Sequence, residues 1–500
     1  MRRLVLALIV WPAAVAAGAS GGLAIVGRTP DEASRVTAVT APATSFDAQE
    51  RFEAKPGGGA TTEGPLNADA FSRSSANMSF ERELDFKVGN GLFRKLWITA
   101  PSSTRVSDGL GPLFNARSCQ SCHLKDGRGH PPTGPGDPAV GMVLRLSVPG
   151  THADLLPALA AGIDGYLATL PEPTYGGQLQ TFGVPGLPAE ARMGISYTEE
   201  PMTLGDGAVV SLRRPEYSVV DPAYAPVSPD VQLSPRVAPQ MIGLGLLEAV
   251  PEADILVLAD PDDADGDGIS GRANQVWSLA EGRVMLGRFG HKAGQPTVRD
   301  QAASAFSGDI GISTRVHPDS WGDCTETQKV CRAQPDGGQP EADDTVLDLV
   351  TFYSRNLAVP ARRDPGDPVV LAGKQVFYEA GCAACHHPKF VTDRLADQPE
   401  QSFQLIWPYT DLLLHDMGEG LADHRPEALA DGREWRTAPL WGIGLTERVT
   451  GQQSFLHDGR ARTLLEAVLW HGGEAEAARD AVAALPASDR DALIRFLESL

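Results

Sequence analysis

The chain has 500 residues, more than one hydrophobic core usually serves, so two or more domains are expected. Apolar residues make up 42% and charged residues 21%, the balance of a soluble globular protein. A net charge of −21 argues against nucleic acid and anionic lipid as partners and suits a basic soluble one.

The chain opens with Arg2 and Arg3, an apolar stretch from Leu4 and the small residues Ala17-Gly18-Ala19, which reads as a signal peptide over 1–19. The apolar run extends to Gly27, so an N-terminal membrane tether is the rival reading. Either way the body lies outside the cytoplasm, with a periplasmic location expected, where cysteines can be oxidised or covalently modified. Residues 20–66 are rich in Thr, Ala, Gly and Pro without periodicity and read as a flexible linker.

Order is expected from about residue 67, opening an N-terminal unit over 67–365. In FERELDFKVGNGLFRKLW the residues Phe86, Leu92, Phe93 and Trp97 have helical spacing, broken by Gly89–Gly91. Short apolar runs such as GMVLRLSV and GAVVSLRR, between about Pro131 and Asp254, predict a loop- and strand-rich insertion. A helix is predicted over Asp343–Asn356, and the Pro-rich stretch Pro360–Pro368 is the best boundary. The unit over 366–500 begins with a helix through Lys374, Val376 and Phe377. It ends in SDRDALIRFLESL, where Ser488 and Asp491 form a capping-box pattern before an apolar face of Leu493, Phe496, Leu497 and Leu500. The expected fold class is mainly α.

Four of the six cysteines form two C-x-x-C-H clusters: Cys119, Cys122 and His123, then Cys382, Cys385 and His386. Each is the attachment signature of a c-type haem, in which two thiols bond the vinyl groups and the adjacent His takes an axial position on iron. A zinc ribbon would need another pair at similar spacing, and Cys324 and Cys331 have six intervening residues rather than two. A thioredoxin-like dithiol would want a βαβ context and no His tied to the motif twice. Stereochemistry favours His386 over His387 as ligand. Cys324 and Cys331 are expected to close a local disulfide around CTETQKVC in an oxidising compartment.

With these motifs in place, the chain resembles the di-haem cytochrome c peroxidase/MauG superfamily, and within it the di-haem oxidoreductase branch. The residues that carry the likeness are EWRTAPLWGIG and SFLHDGRARTLLEAVLWH, similar to a peroxidase segment followed by an aromatic–His–Asp–Gly turn and a helix. The branch likeness also takes in GLGPLFNARSCQSCH, APQMIGLGLLEAVP, DDADGDGISGRAN and FYSRNLAVPARRD, from about Asn67 to Leu500. It implies two cytochrome c-like domains, two covalently bound haems, electron entry at the C-terminal haem and peroxide reduction at the N-terminal one. A small electron donor, such as a cytochrome c or cupredoxin, is the implied partner. MauG-like oxidation of a partner protein, and a non-enzymatic electron-transfer cytochrome, are the alternatives.

In TLLEAVLWH the positions of Leu464, Val468 and His471 share one helical face, and the resemblance puts the distal ligand of the second haem at His471, where most of the peroxidases use Met. Met417 is the rival axial residue. His457 and Asp458 resemble the family's buried turn beside that haem. For the first haem no distal ligand announces itself; His291, His317, Met241, Tyr175, Gln178 and Gln180 are the candidates. The family's distal carboxylate loop is not recognisable, which leaves Gln178 and Glu172 as nominees for proton transfer. DPDDADGDGISGRAN reads as a calcium loop with Asp263, Asp265 and Asp267 as side-chain ligands and the Ile269 carbonyl next, though Asn274 replaces the usual final Glu.

Overall fold

Two pairs of crossed helices organise the chain. Helix Phe80–Phe93 crosses helix Asp344–Arg355 at Gly89, where an added Cβ would stand 2.3 Å from the Leu349 carbonyl oxygen. Helix Pro368–Glu379 crosses the C-terminal helix Ala487–Ser499 at Gly373, where a Cβ would lie 1.9 Å from the Ala492 carbonyl oxygen. The expected break at Gly89–Gly91 is therefore absent: the helix continues, and Gly89 serves close helix approach rather than chain reversal. The capping box expected at Ser488 and Asp491 is also absent, because Pro486 caps the last helix and Ser488 lies inside it. The apolar face of that helix is buried as read, through Leu493, Phe496, Leu497 and Leu500.

Each pair carries the same aromatic ladder. Phe93 stands 5.2 Å from Tyr353 at 49°, and Phe377 stands 5.2 Å from Phe496 at 48°. Each of these phenylalanines also lies 6.3 Å from the histidine of its motif, His123 or His386.

This computed structural model describes residues 19–20, 22–134, 137, 141–150, 163, 165–167 and 169–500. The leader or anchor reading falls mainly on residues outside that set. Among the described residues no helix is long and apolar enough to cross a membrane. The fold is mixed rather than mainly α, with 28% helix and 19% strand. The strands that shift the balance sit largely in the expected insertion. Met142–Ser147 pairs antiparallel with Gln232–Val237, and Arg192–Thr203 pairs over twelve residues with Val209–Val220. That long hairpin reaches the C-terminal part of the chain, where Tyr217 Oη donates to Asp458 at 2.9 Å and Gly205 N donates to the Ala483 carbonyl at 2.8 Å. Leu204 and Leu212 join the core built by Trp407, Trp470 and Phe496.

The 20–66 segment read as a flexible linker contains ordered elements. Strand Leu23–Val26 pairs with Arg394–Leu395, and helix Pro30–Thr40 starts in a capping box between Thr29 and Glu32. Glu53 is fully buried and meets Lys374 Nζ at 2.9 Å and Arg362. Composition could not reveal this, because the cations that hold the segment come from more than three hundred positions later.

Candidate functional site

At the first motif one helical turn, Cys119–Cys122, follows an extended Ser118 and brings both thiols to the same side. His123 closes the turn through its backbone N–H on the Cys119 carbonyl at 3.1 Å. Its ring Nδ1 donates to the Pro239 carbonyl at 2.8 Å, which leaves Nε2 as the atom that can bind a metal. The second motif repeats the arrangement. A left-handed Gly381 leads into a tight turn over Cys382–Ala384, and His386 Nδ1 donates to the Tyr409 carbonyl at 2.9 Å. Burial lowers the pKa of both histidines, His386 to about 4, so both rings are neutral as iron ligation requires. His387 turns away to pack on Phe390, with ring centroids 4.9 Å apart.

The four thiols retain accessible surface although the surrounding protein raises the pKa of each, Cys119 and Cys382 to about 12. Buried donors without a hydrogen-bond partner occur in the same regions: Trp407 Nε1 and Trp470 Nε1 in the core around Cys382, and Arg128 Nε five positions after His123. Unpaired buried donors are costly, and haem carboxylates are groups that would satisfy them. Thiols, axial imidazoles and orphaned donors together fit two c-type haems.

His471 follows helix Leu464–Leu469 directly after its cap, Trp470. Its Nδ1 donates to the Ala467 carbonyl at 2.8 Å, so Nε2 is again the free donor atom. Burial dominates the lowering at His386, but His471 is close enough to add to it electrostatically. Met417 packs into the same cluster as Cys382, and its carbonyl abuts Gly472. Both sixth-ligand candidates therefore lie beside the second motif.

The first motif has different company. Helix Val298–Ala305 widens into a π-turn over Phe306–Ile310, which sets Asp309 beside the motif; its charge raises the pKa of Cys119, Cys122 and His123, in each case behind the effect of burial. Gln178 Nε2 donates to Asp309 Oδ1 at 2.9 Å and to Asn115 Oδ1 at 2.6 Å, while Gln180 Nε2 donates to the Gly308 carbonyl at 2.9 Å. The Oε1 atoms of both glutamines are buried without partners. Gln178 thus lies against Asp309. Glu172 does not: its carboxylate accepts from the backbone N–H groups of Thr174, Tyr175 and Ser228, and so pins a loop.

Among the other distal candidates, Met241 packs in the cluster that holds Cys119. The Tyr175 hydroxyl bonds loop backbone at Tyr224 and Ala225, His291 Nε2 bonds the Val237 carbonyl at 2.8 Å, and the His317 backbone N–H is held by Thr314 Oγ1. Sequence reasoning missed Asp309 and also two buried carboxylates, Glu190 and Asp126. Burial raises them to about 8 and about 6. Only the proximity of Asp126 to the motif could have marked it.

His457 stacks on Trp435, and Asp458 binds Arg460 and Tyr217, with Arg460 holding it down to about 2 despite burial. In the acidic loop the carboxylates that converge within 4.8 Å are Asp260, Asp263 and Asp265. Asp267 is not among them; its Oδ1 accepts from the Ile269 N–H at 2.8 Å. Asp260 therefore stands in the side-chain cluster where Asp267 was expected. Asn274 is fully buried and staples the chain, donating to the Lys292 and Glu427 carbonyls. Cys324 and Cys331 form the expected disulfide.

A family model described as "Di-haem oxidoreductase, putative peroxidase" matches residues 52–500. No curated protein matches the chain. Among solved structures, hydrazine synthase of Kuenenia stuttgartiensis under xenon pressure is 16% identical, with a TM-score of 0.22. The match covers 36% of this chain and 64% of that one.

Proposed function

The chain belongs to the di-haem oxidoreductase family, and from that premise we propose that it is an exported c-type enzyme that reduces peroxide. Two cytochrome c-like units, 67–365 and 366–500, each hold one haem. Cys119, Cys122 and His123 take the first; Cys382 and Cys385, with His386 and His471 as the axial pair, take the second. When bound, the haems supply electron transfer and, at the first site, an iron position open to peroxide.

The observation that carries this reading is the asymmetry of the two sites. A second neutral imidazole, His471, neighbours His386, whereas the polar side chains found beside the first motif, where Met241 also packs, are a carboxylate and two amides, Asp309, Gln178 and Gln180. A capped site suits electron entry. A site with a hydrogen-bonded carboxylate suits chemistry that moves protons. Peroxide reduction to water consumes two electrons and two protons. Asp309 is the group that takes a proton from peroxide and returns it to the leaving oxygen, and Gln178 fixes its orientation. The Pro239 and Tyr409 carbonyls hold the axial rings in one tautomer.

The net charge of −21 favours a small basic electron-donor protein such as a cytochrome c or cupredoxin. Covalent haem and the Cys324–Cys331 disulfide suit the periplasm. Calcium bound by Asp260, Asp263 and Asp265 belongs to the same reading.

The test is the spectrum of the purified ferric protein, followed by rapid mixing with hydrogen peroxide. A high-spin component that reacts within milliseconds supports the enzyme. Two low-spin, bis-ligated haems inert to peroxide would replace it with an electron carrier. Peroxide reactivity that ends in a modified partner side chain would point to the MauG-like chemistry.

A further inference from the structure

The aromatic ladder occurs twice, and the ring directly beside the motif-side phenylalanine differs between the copies, while Tyr409 packs further along the second copy on both Phe377 and Phe496. The position that Phe496 fills beside Phe377 is filled beside Phe93 by Tyr353, at the same centroid distance of 5.2 Å. Packing alone is thus served by phenylalanine in this very fold. The Tyr353 hydroxyl is buried and fully engaged: it donates to Asp126 Oδ1 at 2.8 Å and accepts from Asn90 Nδ2 at 2.6 Å. The Asp126 carboxylate also accepts from Ser72 Oγ. Phe93 bridges Tyr353 to His123, and Phe86 packs against the Tyr353 ring at 4.8 Å, tilted by 43°.

The Asp126–Asn90 side of this group opens on a cavity that Tyr353 itself does not line. The cavity, of about 650 Å³, is lined by Asp126, Asn90, Phe86, Ser72 and Gln120. Gln120 stands between the two cysteines of the first motif, so the cavity borders that motif directly. Its volume is that of a pocket for a small organic molecule. A phenol hydrogen-bonded to a carboxylate can lose an electron without stranding a proton, since the proton shifts along the existing bond.

We infer that Tyr353 is a redox-active tyrosine that connects the His123 site with a small one-electron donor in this cavity. The inference rests on the peroxide-reducing reading of the first site, with hydrogen peroxide as oxidant. Tyr353 gives one electron towards the His123 site through Phe93, and its phenolic O–H bond breaks as the proton passes to Asp126 Oδ1. The product is a neutral tyrosyl radical. A reductant in the cavity returns one electron, and Asp126 returns the proton. The first unit therefore has a second electron entry, independent of the second haem.

The experiment mixes the di-haem protein with one equivalent of hydrogen peroxide and follows haem absorbance by stopped flow and radicals by freeze-quench EPR. Wild type is expected to give a tyrosyl signal that ascorbate quenches. Tyr353→Phe, which copies the residue already accepted at position 496, should keep the haem response and lose the signal. Asn90→Ala should keep the radical and shift its gx value, because one hydrogen bond to the phenoxyl oxygen is gone. Haem bands that respond while wild type gives no tyrosyl signal, or while Tyr353→Phe gives the same one, overturn the assignment and leave the peroxidase reading standing. Haem bands that ignore peroxide overturn the peroxidase reading, and this inference with it.

Discussion

The indole of Trp435 and the imidazole of His457 lie face to face, with ring centroids 3.7 Å apart and planes 11° from parallel. Lys292 Nζ lies 4.5 Å from the same indole, and the His291 ring meets it edge-on at 6.4 Å. Burial first, then Arg460, His291 and Lys292, depress the pKa of His457 far below its ordinary value, outweighing Asp458. The native state therefore refuses a proton that the unfolded chain accepts below about pH 6.5. Its contribution to stability is full above that pH and is lost as the pH falls. His457→Gln should show a shallower fall of Tm than wild type between pH 6.5 and 5. Parallel curves would show that the ring does not carry this dependence.

The second haem should reveal its ligand by substitution. His471→Gly removes the imidazole beside His386, and a ferric high-spin component should replace the low-spin spectrum of that haem. Met417→Leu keeps the packing around Cys382 and should leave the spectrum unchanged. The reverse pattern would move the axial role to Met417.

At the first site Asp309 and the sequence nominee Glu172 separate cleanly. Asp309→Asn, with Gln178 still in place, should slow reaction with peroxide by about 10²- to 10³-fold, the usual worth of a positioned acid–base group. Glu172→Gln should leave that rate alone and lower stability by about 1–3 kcal/mol, since three backbone N–H groups lose a charged acceptor. A peroxide rate indifferent to Asp309→Asn would remove the carboxylate from the chemistry.

What could be read in advance follows from how locally each feature is encoded. The two C-x-x-C-H clusters, the disulfide pair, the Asp343-capped helix and the strand-rich insertion are written within short windows. Asp309 was invisible because its approach to Cys119 depends on a π-turn after an unremarkable Ala-rich helix. Asp260 was missed because an EF-hand register counts forward from Asp263, whereas the chain folds Asp260 back onto it. Gly89 was misread as a break because its true reason is the Leu349 carbonyl of another helix. The 20–66 segment looked like tether because Glu53 finds Arg362 and Lys374 only in three dimensions. At Gly89 and Glu53 a long-range contact overrides a local preference, whereas Asp260 and Asp309 turn on local backbone geometry that the residue pattern does not encode.

The acidic loop predicts a response to calcium. Three carboxylates within 4.8 Å repel one another unless a cation intervenes. Calcium at about a hundred times its Kd should stabilise the holoprotein by about 2.7 kcal/mol, read as a rise in Tm that a chelator reverses. Asp263→Asn should abolish most of the rise. An unchanged Tm on adding calcium to the chelator-treated protein would remove the site.

That loop is also connected to the second motif. The Ser270 carbonyl accepts from Asp260 N at 2.7 Å, Ser270 Oγ donates to Glu474 Oε1 at 2.6 Å, and Glu474 Oε2 lies 2.7 Å from His415 Nδ1. His415 Nε2 reaches Asp411 Oδ2 at 2.8 Å, and Cys385 Sγ lies 3.6 Å from Nδ1. Burial disfavours a charged ring here, but the bonds to Asp411, Cys385 and Glu474 outweigh it and raise the His415 pKa strongly. With both ring nitrogens facing carboxylates, the imidazolium is the form that satisfies the site. Its contribution to stability is full below about pH 6.5, where the unfolded His is also protonated, and is lost as pH rises through the alkaline range. His415→Ala leaves two largely buried carboxylates unpaired and should cost about 3–5 kcal/mol at neutral pH. His415→Gln, which can face only one of them as a donor, should lose less. The gap in Tm between wild type and His415→Gln should narrow from pH 6 to pH 9; a constant gap would mean that the ring is held by packing rather than by charge.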